Sequence, residues 1–169
     1  NDINGITISP YYTAKVSGEE IPVYASVVFI RVDDTGTLHS FSEIYVDSSK
    51  DFSFNIEITG ADVALKNAVV LPESHGVKAQ CKDNTITASI NKTGIYTFLF
   101  NDANQYYGYT LTVREKVDED KEIAEYIEKY GEDNVWVIDK GVYQYDYVNL
   151  VAHNNLVIYL REGAYVIAN

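Results

Sequence analysis

Residues 52–58 read Phe-Ser-Phe-Asn-Ile-Glu-Ile, and this strict alternation constrains the chain more than any other feature. Successive side chains of a strand point to opposite faces, so Phe52, Phe54, Ile56 and Ile58 share one face. Ser53, Asn55 and Glu57 share the other. Such a strand has one side in a core and one in water, the pattern of an antiparallel sheet. Tyr11 to Val16, Ile21 to Val32, Leu38 to Val46, Asn67 to Leu71, Thr85 to Ile90, Ile95 to Phe100 and Tyr107 to Val113 also read as strands. Turns part them at Ser17-Gly18-Glu19-Glu20, Asp33-Asp34-Thr35-Gly36, Asp47 to Asp51 and Asn101-Asp102-Ala103-Asn104.

In the strand from Ile21, the residues Ile21, Val23, Ala25, Val27 and Phe29 fall on one face. Pro22 near its start suggests an edge position, where a missing N–H breaks no ladder. About eight short strands at regular spacing predict a mainly β fold, with an antiparallel β-sandwich over residues 1–114. No Cys–Trp–Cys spacing is present, so this is not a disulfide-pinned immunoglobulin domain.

The texture changes at Glu115. Residues 115–133 read as a charged linker with a short helix. Asp118 or Asp120 can cap that helix, Ile123, Tyr126, Ile127 and Tyr130 form one face of it, and Gly131 stops it. A third texture fills residues 134–169. Val135 to Ile138, Val142-Tyr143, Val148 to Val151, Leu156 to Leu160 and Ala164 to Ala168 are very short strands with Gly or Asn at their corners. That pattern predicts the first coil or coils of a solenoid of parallel strands. A solenoid buries its faces only by stacking several coils, so the chain reads as the front of a longer protein. It begins Asn1-Asp2 and contains no Met, as a processed product or an excised piece would.

The formal charge of −12 argues against nucleic acid and anionic membranes, which need clustered Lys and Arg. No apolar run approaches the length of a membrane-spanning helix, and no signal peptide is present. The single cysteine, Cys81, supports neither a disulfide framework nor a zinc site and reads as a half-buried strand residue. Asp118, Glu119, Asp120 and Glu122 form a run that suits a solvated face and lacks EF-hand spacing. No metal or other cofactor is expected. His39, His75 and His153 are isolated in sequence.

Tyr11, Tyr12, Tyr106, Tyr107 and Tyr109 are the residues with functional promise, because sugar faces stack on aromatic rings. Tyr106, Tyr107 and Tyr109 are the candidate glycan contacts, with core packing as the competing use of the same residues. Asn91-Lys92-Thr93 is a formal glycosylation sequon near a predicted turn.

Two stretches carry a family resemblance. One runs from Ile8-Ser9-Pro10-Tyr11-Tyr12 through Ser17-Gly18-Glu19-Glu20-Ile21-Pro22-Val23, with His39-Ser40-Phe41 further on. The other is Asn134-Val135-Trp136-Val137-Ile138-Asp139-Lys140-Gly141-Val142-Tyr143, followed by Leu156 to Val166. Together they resemble the N-terminal region of polygalacturonase-like and dextranase-like glycoside hydrolases, in which a β-sandwich precedes a right-handed parallel β-helix. The resemblance implies that clustered aspartates on later coils do the chemistry, one protonating the glycosidic oxygen and another activating water. An inverting pair of this kind stands roughly 6.5–9.5 Å apart to admit that water. The family's Asn-Thr-Asp, Gly-His-Gly and Arg-Ile-Lys phrases are absent here. Asp33-Asp34 is an aspartate pair, but in a predicted sandwich turn, and Ser74-His75-Gly76 only echoes the histidine phrase. No residue here inherits a catalytic role.

The resemblance therefore implies a non-catalytic sandwich and β-helix cap of a secreted, extracellular or periplasmic, polysaccharide-degrading enzyme. Its partners would be the C-terminal β-helix of the same protein and a polysaccharide. The alternative is an independent carbohydrate-binding or adhesion module, or part of a tailspike-like protein, with a structural spacer as the third option.

Overall fold

A computed structural model describes residues 2–3, 6–28, 37–101, 108–145 and 155–168. The chain is mainly β, with one α-helix among the described residues, and falls into two compact units, Asn1–Lys116 and Val117–Asn169.

The first unit opens with a small antiparallel pair, β1 (Asp2–Ile3) and β2 (Ile6–Thr7). Then come β3 (Tyr12–Val16), β4 (Glu19–Ile21), β5 (Tyr24–Val28), β6 (Thr37–Val46) and β7 (Phe54–Gly60). The series ends with β8 (Ala68–Leu71), β9 (Ala79–Lys82), β10 (Thr85–Ile90), β11 (Gly94–Phe100) and β12 (Tyr109–Glu115). One five-stranded sheet runs β4-β3-β7-β10-β9, antiparallel throughout. The other runs β5-β6-β12-β11-β8. Its β6–β12 pair is parallel, a departure from the antiparallel expectation. Five intervening strands supply the long connection a parallel pair requires.

The alternation read at residues 52–58 does what it predicts. Ile56 and Ile58 are fully buried while Asn55, on the other face of the same strand, is exposed. Ile86, Ala88 and Ile90 of β10 join them from the same sheet. Tyr96, Phe98 and Phe100 of β11 and Tyr109, Leu111 and Val113 of β12 come from the other, and all share one core. Tyr12 and Phe100, from different sheets, meet with ring centroids 5.1 Å apart. Each large apolar side chain buried this way contributes about 1.5–3 kcal/mol, so the two inward faces hold the unit together.

Local chemistry sets the corners. Ser17 and Gly18 both have positive φ, a two-residue hairpin turn, so Glu19 and Glu20 belong to a strand and not to the turn. Pro22 and Val23 break the expected long strand into β4 and β5, each an outermost strand of a different sheet. Pro22 thus lies where no ladder needs its N–H. The strand β9 and a 3-10 turn at Glu73–His75 were not legible in the sequence. The β9–β10 hairpin turns on Asp83 and Asn84, both with positive φ. Asn84 then ties down the neighbouring loop: its Oδ1 accepts from Leu65 N–H at 2.6 Å and its Nδ2 donates to Gly60 O at 2.8 Å. A Cβ on Gly60 would fall 1.9 Å from the Val63 carbonyl oxygen, so only glycine permits that approach. Phe29, the Asp33–Gly36 turn, most of the Asn101–Asn104 loop and the Val148–Val151 strand lie outside the described residues.

In the second unit, α1 (Glu119–Tyr130) is capped by Asp118, whose carboxylate accepts the Lys121 N–H at 3.2 Å. Gly131, at φ 87°, ends it. Then follow β13 (Val135–Ile138), β14 (Gly141–Tyr145), β15 (Val157–Leu160) and β16 (Ala164–Ala168). β13 pairs in parallel with β15, Val135 against Val157, 22 residues on. β14 pairs in parallel with β16, Gly141 against Ala164, 23 residues on. The corners between them stack too. Arg161 N–H donates to Ile138 O and Gly141 N–H to Gly163 O, each at 3.0 Å.

Helix α1 lies against this stack. The Tyr159 hydroxyl donates to Glu122 Oε2 at 2.7 Å, Arg161 Nη2 to Asp120 Oδ1 at 2.6 Å and Glu162 N–H to Glu119 Oε1 at 2.5 Å. The acidic run read as a solvated face is therefore engaged: Asp118 caps the helix, and Glu119, Asp120 and Glu122 fasten it. Sequence spacing could not reveal this, because the partners lie about forty residues away.

Candidate functional site

Among the described residues, one feature of the first unit suited to holding a ligand surrounds the β10–β11 turn, Asn91-Lys92-Thr93. Tyr96, one turn of strand further on, pins it by donating its hydroxyl to Lys92 O at 2.9 Å. The ring of His75 packs edge-on against Tyr96, centroids 4.9 Å apart. Gly94 makes room for it, since a Cβ there would sit 2.9 Å from His75 Cε1. His75 Nδ1 is shut in beneath this contact without a hydrogen-bond partner, so Nε2 is the ring nitrogen left to meet a ligand.

His75 lines a cleft of about 350 Å³ together with Ser53, Lys78, Ser89, Asn91 and Lys92. The Ser89 hydroxyl is already donated to Asn55 Oδ1 at 2.6 Å. Across the turn, a second hollow of about 550 Å³ shares Asn91 and Lys92 and adds Lys50, Asp51 and Phe52. Three separate segments build this region: the approach to β7, the stretch after Pro72, and the β10–β11 turn. Its only sequence signals were the Ser74-His75-Gly76 phrase and the sequon, neither of which revealed the convergence.

Of the candidate glycan contacts, Tyr109 alone is among the described residues. Tyr109 is fully buried on β12, its ring 5.9 Å from that of Phe98, and a side chain so placed offers no face to a sugar. Burial pushes its phenol well above the ordinary value, a nearby Ser42 drawing it back somewhat. No well-formed hydrogen bond reaches that hydroxyl, and the nearby Ser42 donates its own proton to Pro22 O at 2.6 Å. Tyr106 and Tyr107 lie outside the described residues. Tyr12 is a core residue, and Tyr11 is half-buried against it.

His39, on β6, shares a hydrogen bond of 2.9 Å with Thr110 Oγ1, and its burial lowers its pKa. His153 lies outside the described residues, as do Asp33 and Asp34. Cys81 is half-buried on β9, its thiol donating to Leu65 O at 3.3 Å. No group of three or more His, Cys, Asp or Glu side chains that could hold a metal occurs among the described residues. No helix among them is long and apolar enough to cross a membrane.

No protein-family model matches this chain, and no curated protein matches it.

Proposed function

We propose that the first unit is an immunoglobulin-type β-sandwich and the second the opening coils of a right-handed parallel β-helix. Together they form the non-catalytic front of a secreted polysaccharide-degrading glycoside hydrolase, whose catalytic acids lie on later coils. The observation that carries this reading is the repeated offset in the second unit. Two successive strand pairs are parallel, and their partners stand 22 and 23 residues apart. A near-constant offset in two sheets at once is what one full coil of a solenoid produces. Right-handedness follows from the strong preference of parallel crossovers.

The sandwich reading rests on topology. The second sheet places β6 parallel to β12 and continues through β11 to β8, while β7, β10 and β9 form the other layer with β3 and β4. Tyr96, at the start of β11, donates to the backbone four residues upstream, as the tyrosine corner of such sandwiches does. Two residues later, where a disulfide cysteine would stand, is the fully buried Phe98. Helix α1, fastened over the stacked strands, suits the covering that a solenoid's end needs.

The test is hydrolysis by the native protein. Full-length protein isolated from its source should release reducing ends from a polysaccharide in a panel of plant, algal and bacterial polymers, and the 169-residue chain should release none. A native protein with no clustered aspartates on later coils, or hydrolysis by this chain alone, overturns the assignment.

A further inference from the structure

We propose that the cleft between the β10–β11 turn and the His75 segment binds a doubly charged oxyanion, a phosphate or sulfate group. The site is independent of the hydrolase reading. Acidic residues outnumber basic ones 25 to 13 in the chain, yet the described residues lining this cleft include Lys78, Lys92 and His75 and no Asp or Glu. Among the described residues, neither lysine forms an ion pair with another side chain. Two lysines and a histidine in one lining, with no carboxylate among them, suit a dianion better than a single carboxylate. Ser53 and Asn91 line the same cleft and carry uncharged donors.

The pocket is held ready by contacts that the ligand does not have to make. Tyr96 fixes the turn carrying Asn91 and Lys92 through its bond to Lys92 O, and the same ring seats His75. With Nδ1 enclosed and without a partner, His75 can reach a ligand only through Nε2. Asp51 lines the hollow across the turn, and Glu73 lines another hollow that shares Gly76 and Lys78. A volume of about 350 Å³ admits a free ion or a small phosphate or sulfate ester.

The experiment is an NMR titration of the full chain with inorganic phosphate, inorganic sulfate and glucose 6-phosphate, against sodium chloride at matched ionic strength. Saturable shifts of the His75 ring protons and of the Lys78 and Asn91 amides are expected with at least one of the three. Tighter binding of glucose 6-phosphate than of either inorganic ion assigns the site to an ester, and the reverse assigns it to a free ion. Lys78→Ala and Lys92→Ala should each weaken binding about tenfold, the loss of one charge-assisted hydrogen bond. Lys15→Ala, on β3 and outside the lining, should leave it unchanged. Dispersed amide spectra will show that each variant is folded. Shifts no larger than those with chloride, or folded lysine variants that bind as the parent does, overturn the proposal.

Discussion

Ile138 and Leu160 stand opposite each other in the β13–β15 ladder, yet Ile138 is 5% exposed and Leu160 48%. The first strand's position is covered, and the equivalent position one offset later is open. Ile138→Ala should therefore destabilise the second unit by about 2–4 kcal/mol, the range for a buried Ile truncated to Ala. Leu160→Ala should cost about 0.5 kcal/mol or less in this chain. Trp136, the only tryptophan, lies on β13 and reports unfolding of this unit in urea. In a protein with a third coil stacked on β15, the Leu160→Ala loss should rise toward that of Ile138→Ala. Equal losses in the present chain would mean that Leu160 is already covered.

Two buried tyrosines should respond oppositely to removal of their hydroxyls. Tyr96 donates to Lys92 O at 2.9 Å, so Tyr96→Phe should cost about 1 kcal/mol. Tyr109 buries a hydroxyl without a well-formed partner, so Tyr109→Phe should gain about 1 kcal/mol. Chemical denaturation followed by Tyr fluorescence measures both. A loss in Tyr109→Phe matching that in Tyr96→Phe would show that Ser42 does satisfy the Tyr109 hydroxyl.

The contrast between these tyrosines also marks how far the sequence could be read. Alternation around Ile56 and Ile58 was visible because strand faces repeat every two residues, and the Asp118 cap and Gly131 stop were visible because they are local. Tyr109 was legible by the same rule, since it shares a strand face with Leu111 and Val113 while Thr110, Thr112 and Arg114 take the other. β9 was hidden because Ala-Gln-Cys-Lys carries no strong strand residue, and it is held by the Asp83-Asn84 turn. The cleft was least legible of all. Ser53, His75 and Asn91 meet only because β7, β10 and the stretch after Pro72 come together, a consequence of pairing order.

His39 should make the first unit sensitive to mild acid. Burial lowers its pKa from the ordinary 6.5, so the folded state takes up its proton less readily than the unfolded chain. Stability is then fully present above 6.5 and declines as pH falls from 6.5 through the lowered folded value. His39→Gln keeps a group able to bond Thr110 Oγ1 and removes the titration. Its stability should vary less than the parent's between pH 6.5 and about pH 5, as urea midpoints across that window will show. Parallel pH profiles for parent and variant would place the acid sensitivity elsewhere.

Arg161 is the side chain on which the seating of α1 most depends. It reaches Asp120 at 2.6 Å and Glu119 at 3.4 Å on the helix, and its Nε lies 3.1 Å from Asp139 Oδ1 at the β13–β14 corner. That last approach is an ion pair without hydrogen-bond alignment, since Nε has no partner of good geometry. The Asp120 hydrogen bond, above the other acids, raises the already high pKa of the guanidinium, so it stays charged at any working pH. Arg161→Gln removes the charge and should loosen α1, speeding amide exchange at Ile123 and Ile127 while leaving β10 and β11 of the first unit unchanged. Arg161→Lys keeps the charge but loses the planar fork, and should fall between parent and Gln variant. Added salt should speed exchange in the parent and have less effect on the Gln variant, because only the parent has these ion pairs to screen. Unaltered exchange across α1 in Arg161→Gln would show that Tyr159, through Glu122, and the apolar contact of Ile123 hold the helix without it.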